Sequence, residues 1–199
     1  AAAMAEAGHT VAVVDPSPDS LAATERRATE AQLADRLTAV QGDTATLAQV
    51  IPAGSADVVV CHRVLERRAD VADALRAIAV ALKPDGLLSI LIDQRLAQVL
   101  QLASDGHFDV ARETLLDPEL LDRPGLLAGL AAGGWQVLAE HGVGCIADHI
   151  PEAAAEGQAE ALLDLEATVA GMTPHLESAT CLHVLASRAE FRQGMAGFR

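Results

Sequence analysis

The chain has 199 residues, enough for one α/β domain with a sizeable core, and 51% of them are apolar although aromatics make up only 2%. With no tyrosine, the core must be built from Ala, Val, Leu and Ile, and no apolar run reaches the ~18–20 residues a membrane helix needs. The formal charge of −14 lowers the standing of a nucleic-acid partner, whose usual footprint is a stripe of Lys and Arg, although a local basic mouth could still exist.

Strand-like and helix-like runs alternate from the start, the pattern of a parallel sheet with crossover helices. Residues 1–7 read as the end of a helix, stopped by Gly8 as a C-terminal cap. Residues 10–14 form a short buried strand that ends at Asp15-Pro16, and Ser17 or Asp19 caps a helix over 20–32. A second strand over 37–40 closes at Gly42-Asp43, followed by a helical turn over 46–50. Residues 56–61 are the clearest strand, a near-continuous apolar run expected where both faces are covered. An amphipathic helix over 71–82 stops at Lys83-Pro84-Asp85-Gly86, a turn, and a buried strand over 87–92 follows. Residues 96–116 are helical but interrupted at Gly106-His107-Phe108-Asp109, and a helix over 126–132 stops at Gly133-Gly134. Strands are expected over 135–140, 143–147 and 181–186, with a helix over 157–170. No repeat or linker divides the chain, so residues 1–199 read as a single domain.

In open α/β sheets, ligands bind outside the carboxyl ends of the strands. Three strands end there in Asp15, in Gly42-Asp43 and in Cys61-His62. An acidic residue ending the first strand offers two acceptor oxygens to a pair of ribose hydroxyls, a feature shared by NAD, FAD and S-adenosylmethionine sites. Asp43 follows a glycine that lets the backbone approach a flat ring, so its carboxylate can accept from an exocyclic amine while the Thr44 N–H donates to a ring nitrogen. The bland alternative for each is a solvated turn residue. His141, Cys145 and His149 recur at four-residue spacing, but on a glycine-containing strand rather than a helix, so no metal is expected. Cys61, Cys145 and Cys181, odd in number and widely spaced, suit reduced thiols in a cytoplasmic protein. The alanine-rich opening soon meets Glu6 and His9 and has no basic n-region, so it does not read as a signal peptide.

The succession VAVVDPSPDSL, AVQGDTATL, SADVVVCHRVLE and LKPDGLLSIL resembles the class I S-adenosylmethionine-dependent methyltransferases. GHFD, GGWQVLAEHGVGCIADHI and CLHVLASR are similar to the bacterial branch that contains the tRNA 5-carboxymethoxyuridine methyltransferase. The resemblance implies a Rossmann-like fold: a mostly parallel twisted sheet, helices on both faces and an antiparallel C-terminal strand pair. It also implies that Asp15, with Pro16 beside it, holds the ribose, that Gly42, Asp43 and Thr44 border the adenine, and that His62 lies near the methionine end of S-adenosylmethionine. In that family a strand and a glycine-rich loop precede the helix read over 1–7, and neither is found in residues 1–199. The expectation is therefore an upstream glycine loop whose strand lies between the Asp15 and Cys61 strands.

No residue announces itself as a catalytic base, and methyl transfer from a sulfonium needs mainly alignment of a nucleophile with the methyl group. Glu66, Asp93, His107 and Phe108 are the candidates for the acceptor side, and residues 96–125 for a substrate-side cap. The acceptor is a small molecule or a modified tRNA base, the latter disfavoured by the charge, and oligomeric state is not legible. Two alternatives stay open: an NAD(P)-dependent oxidoreductase, which shares the strand–Asp feature but here lacks any tyrosine, and a non-catalytic nucleotide-binding protein of the same fold.

Overall fold

The computed structural model describes residues 1–151 and 155–188. Along the chain run α1 (Ala2–Glu6), β1 (Val11–Asp15), α2 (Pro18–Glu30), β2 (Leu37–Gln41), α3 (Leu47–Val50), β3 (Ala56–His62), α4 (Arg68–Ala81) and β4 (Leu82–Asp93). After them come α5 (Arg95–Ser104), α6 (Phe108–Leu116), α7 (Arg123–Ala132), β5 (Trp135–Val143), α8 (Ala159–Val169), α9 (Thr173–Ser178) and β6 (Cys181–Arg188). No helix among the described residues is long and apolar enough to cross a membrane.

The strands form two groups. β1 and β2 pair in parallel, Val11 opposite Leu37 through Asp15 opposite Gln41. The other four run in the order β3-β4-β6-β5, with β3 and β4 parallel and β6 antiparallel to both neighbours. The expected antiparallel pair at the C-terminus is therefore present, and within this sheet β6 alone runs against the rest. β1→β2 and β3→β4 are adjacent parallel steps. In a doubly wound sheet they lead outward in opposite directions, so right-handed crossovers put α2 and α4 on opposite faces.

Alternation along the strands assigns the two faces of the larger sheet. Cys61, Leu88, Ile90, Ile92, Leu182, Val184 and Ala186 share one face and are buried. Against it pack Val71, Ala74, Leu75 and Ile78 of α4, Leu126 and Leu130 of α7, and Leu176 of α9. Those α4 positions recur at three- and four-residue spacing, the stripe a core-facing helix needs. The other face carries Val58 and Val60 of β3, exposed at 42% and 46%. This corrects the expectation of a strand covered on both sides: among the described residues, β3 also has no strand beyond β4 to pair with.

Two segments differ in kind from the sequence reading. The segment Lys83-Pro84-Asp85-Gly86 is not a turn between helix and strand. β4 begins at Leu82, which pairs with Ala56, and the register slips before Val58 meets Leu87, so residues 83–86 form a bulge. Glycine suits position 86, because an added Cβ would lie 2.7 Å from Leu82 Cδ2, 3.1 Å from the Lys83 carbonyl oxygen and 3.2 Å from that of Ala56. Residues 143–147 are not a separate strand. β5 runs unbroken to Val143, and Gly144, at φ +71°, turns the chain into a 3-10 turn over Ala147–His149. Glu166 of α8 holds that turn, accepting the backbone N–H groups of Cys145, Ile146 and Ala147 at 3.1, 2.8 and 2.6 Å.

Candidate functional site

Asp15 ends β1 half-buried, and its Oδ1 accepts the Ser17 N–H at 2.8 Å. That bond, together with the Ser17 hydroxyl accepting from Ser20 N–H at the start of α2, fixes the turn and the carboxylate orientation. Asp15 Oδ2 takes no protein partner among the described residues. Pro16 is exposed, and its carbonyl accepts from Gln41 Nε2 at 3.4 Å, tying the carboxyl ends of β1 and β2 together.

Gly42 follows β2, and the structure gives it a packing reason. A Cβ would meet Thr46 Oγ1 at 3.1 Å and methyls of Val14 and Val50 at 3.2 Å, so a larger residue would crowd the turn against β1. Asp43 Oδ1 accepts both the backbone N–H and the hydroxyl of Thr46 at 2.8 Å. These bonds, the side-chain one first, hold its carboxyl below the usual range. Thr44 and Ala45 then line a cavity of about 360 Å³ with Asp73, Arg76, Ala77 and Val80 of α4. Asp15 and Asp43 thus stand at the carboxyl ends of adjacent parallel strands, each oriented by its own turn.

Around the carboxyl end of β3 lies a second cavity, of about 260 Å³, lined by Arg63, Leu65, Glu66, Asp93, Gln98 and Leu121 among others. Arg63 directly follows β3 with φ +55°, a left-handed backbone uncommon outside glycine, and its N–H donates to the Leu91 carbonyl at 2.8 Å. The turn aims its guanidinium across β4, where Nε lies 2.9 Å from Asp93 Oδ1 and Nη2 donates to Cys181 Sγ at 3.3 Å. Cys181 in turn donates to Asp93 Oδ1 at 3.1 Å, and burial pushes its thiol pKa up. The same cause pushes the Cys61 thiol up to about 11, so neither is a thiolate at neutral pH.

His62, the last residue of β3, is exposed and bonds through Nε2 to Ser89 Oγ at 2.8 Å. Burial lowers its pKa, which keeps the ring neutral near pH 7. Glu66 and Asp93 both line the smaller cavity, as do Gln98 and Leu121 from the 96–125 segment. That segment is clamped to the domain by Asp122, which caps α7 by accepting the Gly125 N–H and pairs with Arg68 at 2.5 Å and Arg95 at 3.3 Å. His107 and Phe108 sit at the α5–α6 break instead, exposed, with Phe108 at 70%, and outside the lining of that cavity. Sequence reasoning missed Arg63, whose left-handed backbone leaves no residue-type signal. It also missed Ser89 and His183, whose meeting depends on strand register.

Residues 1–90 match the family model described as a methyltransferase domain. This match and the relative below support an S-adenosylmethionine-dependent methyltransferase. Among curated proteins the chain is 25% identical over 196 residues to the tRNA 5-carboxymethoxyuridine methyltransferase of Escherichia coli K12, spanning 94% of this chain and 75% of that protein. Among solved structures, geranyl diphosphate C-methyltransferase from Streptomyces coelicolor A3(2) superposes with a TM-score of 0.60 at 13% identity, over 94% of this chain and 67% of its own. An S-adenosylmethionine-dependent methyltransferase from Mesorhizobium loti gives 0.56 at 19% identity, over 89% and 80%. At such identities the structural likeness concerns the fold.

Proposed function

We propose that Asp15 holds the ribose hydroxyls of S-adenosylmethionine, with Pro16 beside it, and that Gly42, Asp43 and Thr44 border its adenine. The observation that carries this is the pairing of two locally anchored carboxylates at the ends of β1 and β2, beside the cavity that Thr44 lines. A carboxylate with one oxygen fixed by a backbone N–H is preorganised to accept from a hydroxyl with the other. The bound sulfonium would supply an electrophilic methyl group, and the residues of the chain would hold and align its acceptor. His62 faces the methionine end in this reading. Glu66 and Asp93 line the acceptor cavity, and residues 96–125 cap it, His107 and Phe108 lying at the outer bend of that cap.

The single domain is completed in this reading by a parallel strand, carrying the glycine loop the resemblance implies, between β1 and β3. Two facts support it. Among the described residues neither strand has a partner on its remaining edge, and Val58 and Val60 beside the opening are exposed. Backbone donors and acceptors in the middle of a sheet need pairing, and such a strand would supply it.

The acceptor is a small molecule. Four arginines in or near the cavity lining are set against four carboxylates: Arg63 against Asp93, Arg67 against Asp117, and Arg68 and Arg95 against Asp122, with Glu66 in the lining as the fourth. On a chain of charge −14 this leaves no local excess of positive charge for a phosphate backbone. The 25% identity to a tRNA methyltransferase over 94% of the chain supports a second reading, a modified tRNA base. Labelled-methyl transfer separates them: the full-length protein should label material in a small-molecule extract and leave bulk bacterial tRNA unlabelled. Label in tRNA alone would establish the second reading. Localisation in the cytoplasm, with its thiols reduced, accords with the burial of all three free cysteines.

A further inference from the structure

Strand register places three histidines in one row across the face of the larger sheet that carries Val58 and Val60. His62 of β3 and His183 of β6 both stand opposite Leu91 of β4, and His141 of β5 stands opposite His183. Ser89, two residues before Leu91, shares this face and lies between the first two rings. His62 Nε2 is 2.8 Å from Ser89 Oγ, and Ser89 Oγ is 2.8 Å from His183 Nε2. The rings of His62 and His183 meet edge to face, and His141 stacks on the far side of His183, each pair with centroids 5.9 Å apart. The class of reaction does not by itself call for such a chain.

A serine hydroxyl has one proton to give and two lone pairs to receive. When it bridges two imidazole nitrogens as a wire, it accepts from one Nε2–H and donates to the other, bare Nε2. The two rings are then opposite tautomers, and the bridge has a direction. We propose that His62, Ser89 and His183 form a proton relay running from His62 Nδ1, at the carboxyl end of β3 next to the cavity that Arg63 lines, across the sheet to His183. This rests on the methyltransferase reading above and adds the class of acceptor, a protic hydroxyl or amine.

The step balances as follows. The acceptor's lone pair bonds to the methyl carbon as the carbon–sulfur bond breaks, its electron pair staying on sulfur. The acceptor's proton passes to His62 Nδ1, the Nε2 proton of His62 to Ser89 Oγ, and the Ser89 proton to His183 Nε2. His183 then loses its Nδ1 proton to water. The resting tautomers are therefore fixed: His62 protonated on Nε2 and His183 on Nδ1. Burial lowers the pKa of both rings, and for His183 the neighbouring His62 and His141 lower it further, so both rest neutral and able to accept. The other titratable groups on this face are His141 from β5, Asp93 from β4 and Cys181 from β6, with Arg63 paired to Asp93. That pairing keeps the neighbouring row close to neutral.

Nitrogen-15 NMR of the histidine rings in the full-length protein, at pH about 8, reads the tautomers directly. The expected result is Nε2–H for His62 and Nδ1–H for His183. Ser89→Ala should lose the Nδ1–H signal of His183, and Ser89→Thr, which keeps the hydroxyl, should retain it. Nε2–H on both rings, Nδ1–H on His62, or a His183 signal unchanged in Ser89→Ala would overturn the relay. Calorimetry of the same samples with S-adenosylmethionine keeps the two readings apart. A protein with the expected tautomers that binds no cofactor defeats the methyltransferase reading, and one that binds cofactor with the wrong tautomers defeats the relay.

Discussion

The two groups of strands divide the labour unequally. The four-stranded sheet and the helices α4, α7 and α9 packed on it supply nearly all of the main core, whose fully buried members include Leu88, Ile90, Leu126, Leu130, Leu182 and Val184. The β1–β2 pair carries little of it: Val11, Val13 and Val14 are only half-buried, and Leu21, Ala28, Leu33 and Leu37 are the buried apolar residues around it. Yet both carboxylates proposed to hold the nucleoside stand on that thin half, each kept in place by a local turn rather than by the core. Binding geometry here can be set by short-range backbone bonds while stability is set elsewhere, so the two properties should respond to different substitutions.

The widest separation should appear in the core. Ile90→Ala is expected to cost ~2–5 kcal/mol of stability, through lost transfer energy and the cavity left behind, whereas Val13→Ala should cost about 1 kcal/mol. Denaturant midpoints of the two variants check this, and equal losses would erase the contrast.

Binding should show the reverse order. Asp15→Ala is expected to weaken S-adenosylmethionine affinity roughly ten- to a hundredfold, the worth of charge-assisted hydrogen bonds of ~1.5–3 kcal/mol. Its unfolding midpoint should stay close to that of the parent. Unchanged affinity by calorimetry would remove Asp15 from the site.

Glu166 offers a pH handle on the stable half. Burial by itself raises its carboxyl pKa, but the three backbone N–H groups it accepts, and His149 nearby, outweigh this and leave the net shift downward from 4.5. A carboxyl lowered in the folded state stabilises above its unfolded pKa, and that stabilisation is lost as pH falls through the folded value. Glu166→Gln should therefore cost about 1 kcal/mol at pH 7, discounted for partial exposure, with the difference from the parent shrinking below about pH 4. A difference independent of pH between 3 and 7 would contradict it.

The smallest effect belongs to Asp43→Asn. The amide oxygen can still accept from Thr46, so the thermal unfolding midpoint should fall only slightly. A larger loss would mean that the charge itself holds the turn.

Most strands and helices were legible because their apolar patterns and end signals are local: Asp15-Pro16, Gly42-Asp43 and Gly133-Gly134 each close an element where the chain does. The errors came from long-range contacts. Lys83-Pro84-Asp85-Gly86 reads as a turn until Leu82 is seen to pair with Ala56. Residues 143–147 read as a strand until Glu166 is seen to take their N–H groups. The site divides the same way. Asp15, Asp43 and His62 lie at strand ends and were visible from spacing, whereas the His62–Ser89–His183 bridge needs three strands in register and has no signature in any one of them.

The central claim is that the thin half of the molecule is a nucleoside site for a sulfonium cofactor, and calorimetric titration of the full-length protein tests it most directly. The account predicts saturable 1:1 binding of S-adenosylmethionine, weakened at least about tenfold by Asp15→Ala, and no comparable heat from NAD. Saturable binding of NAD with none of S-adenosylmethionine would contradict it.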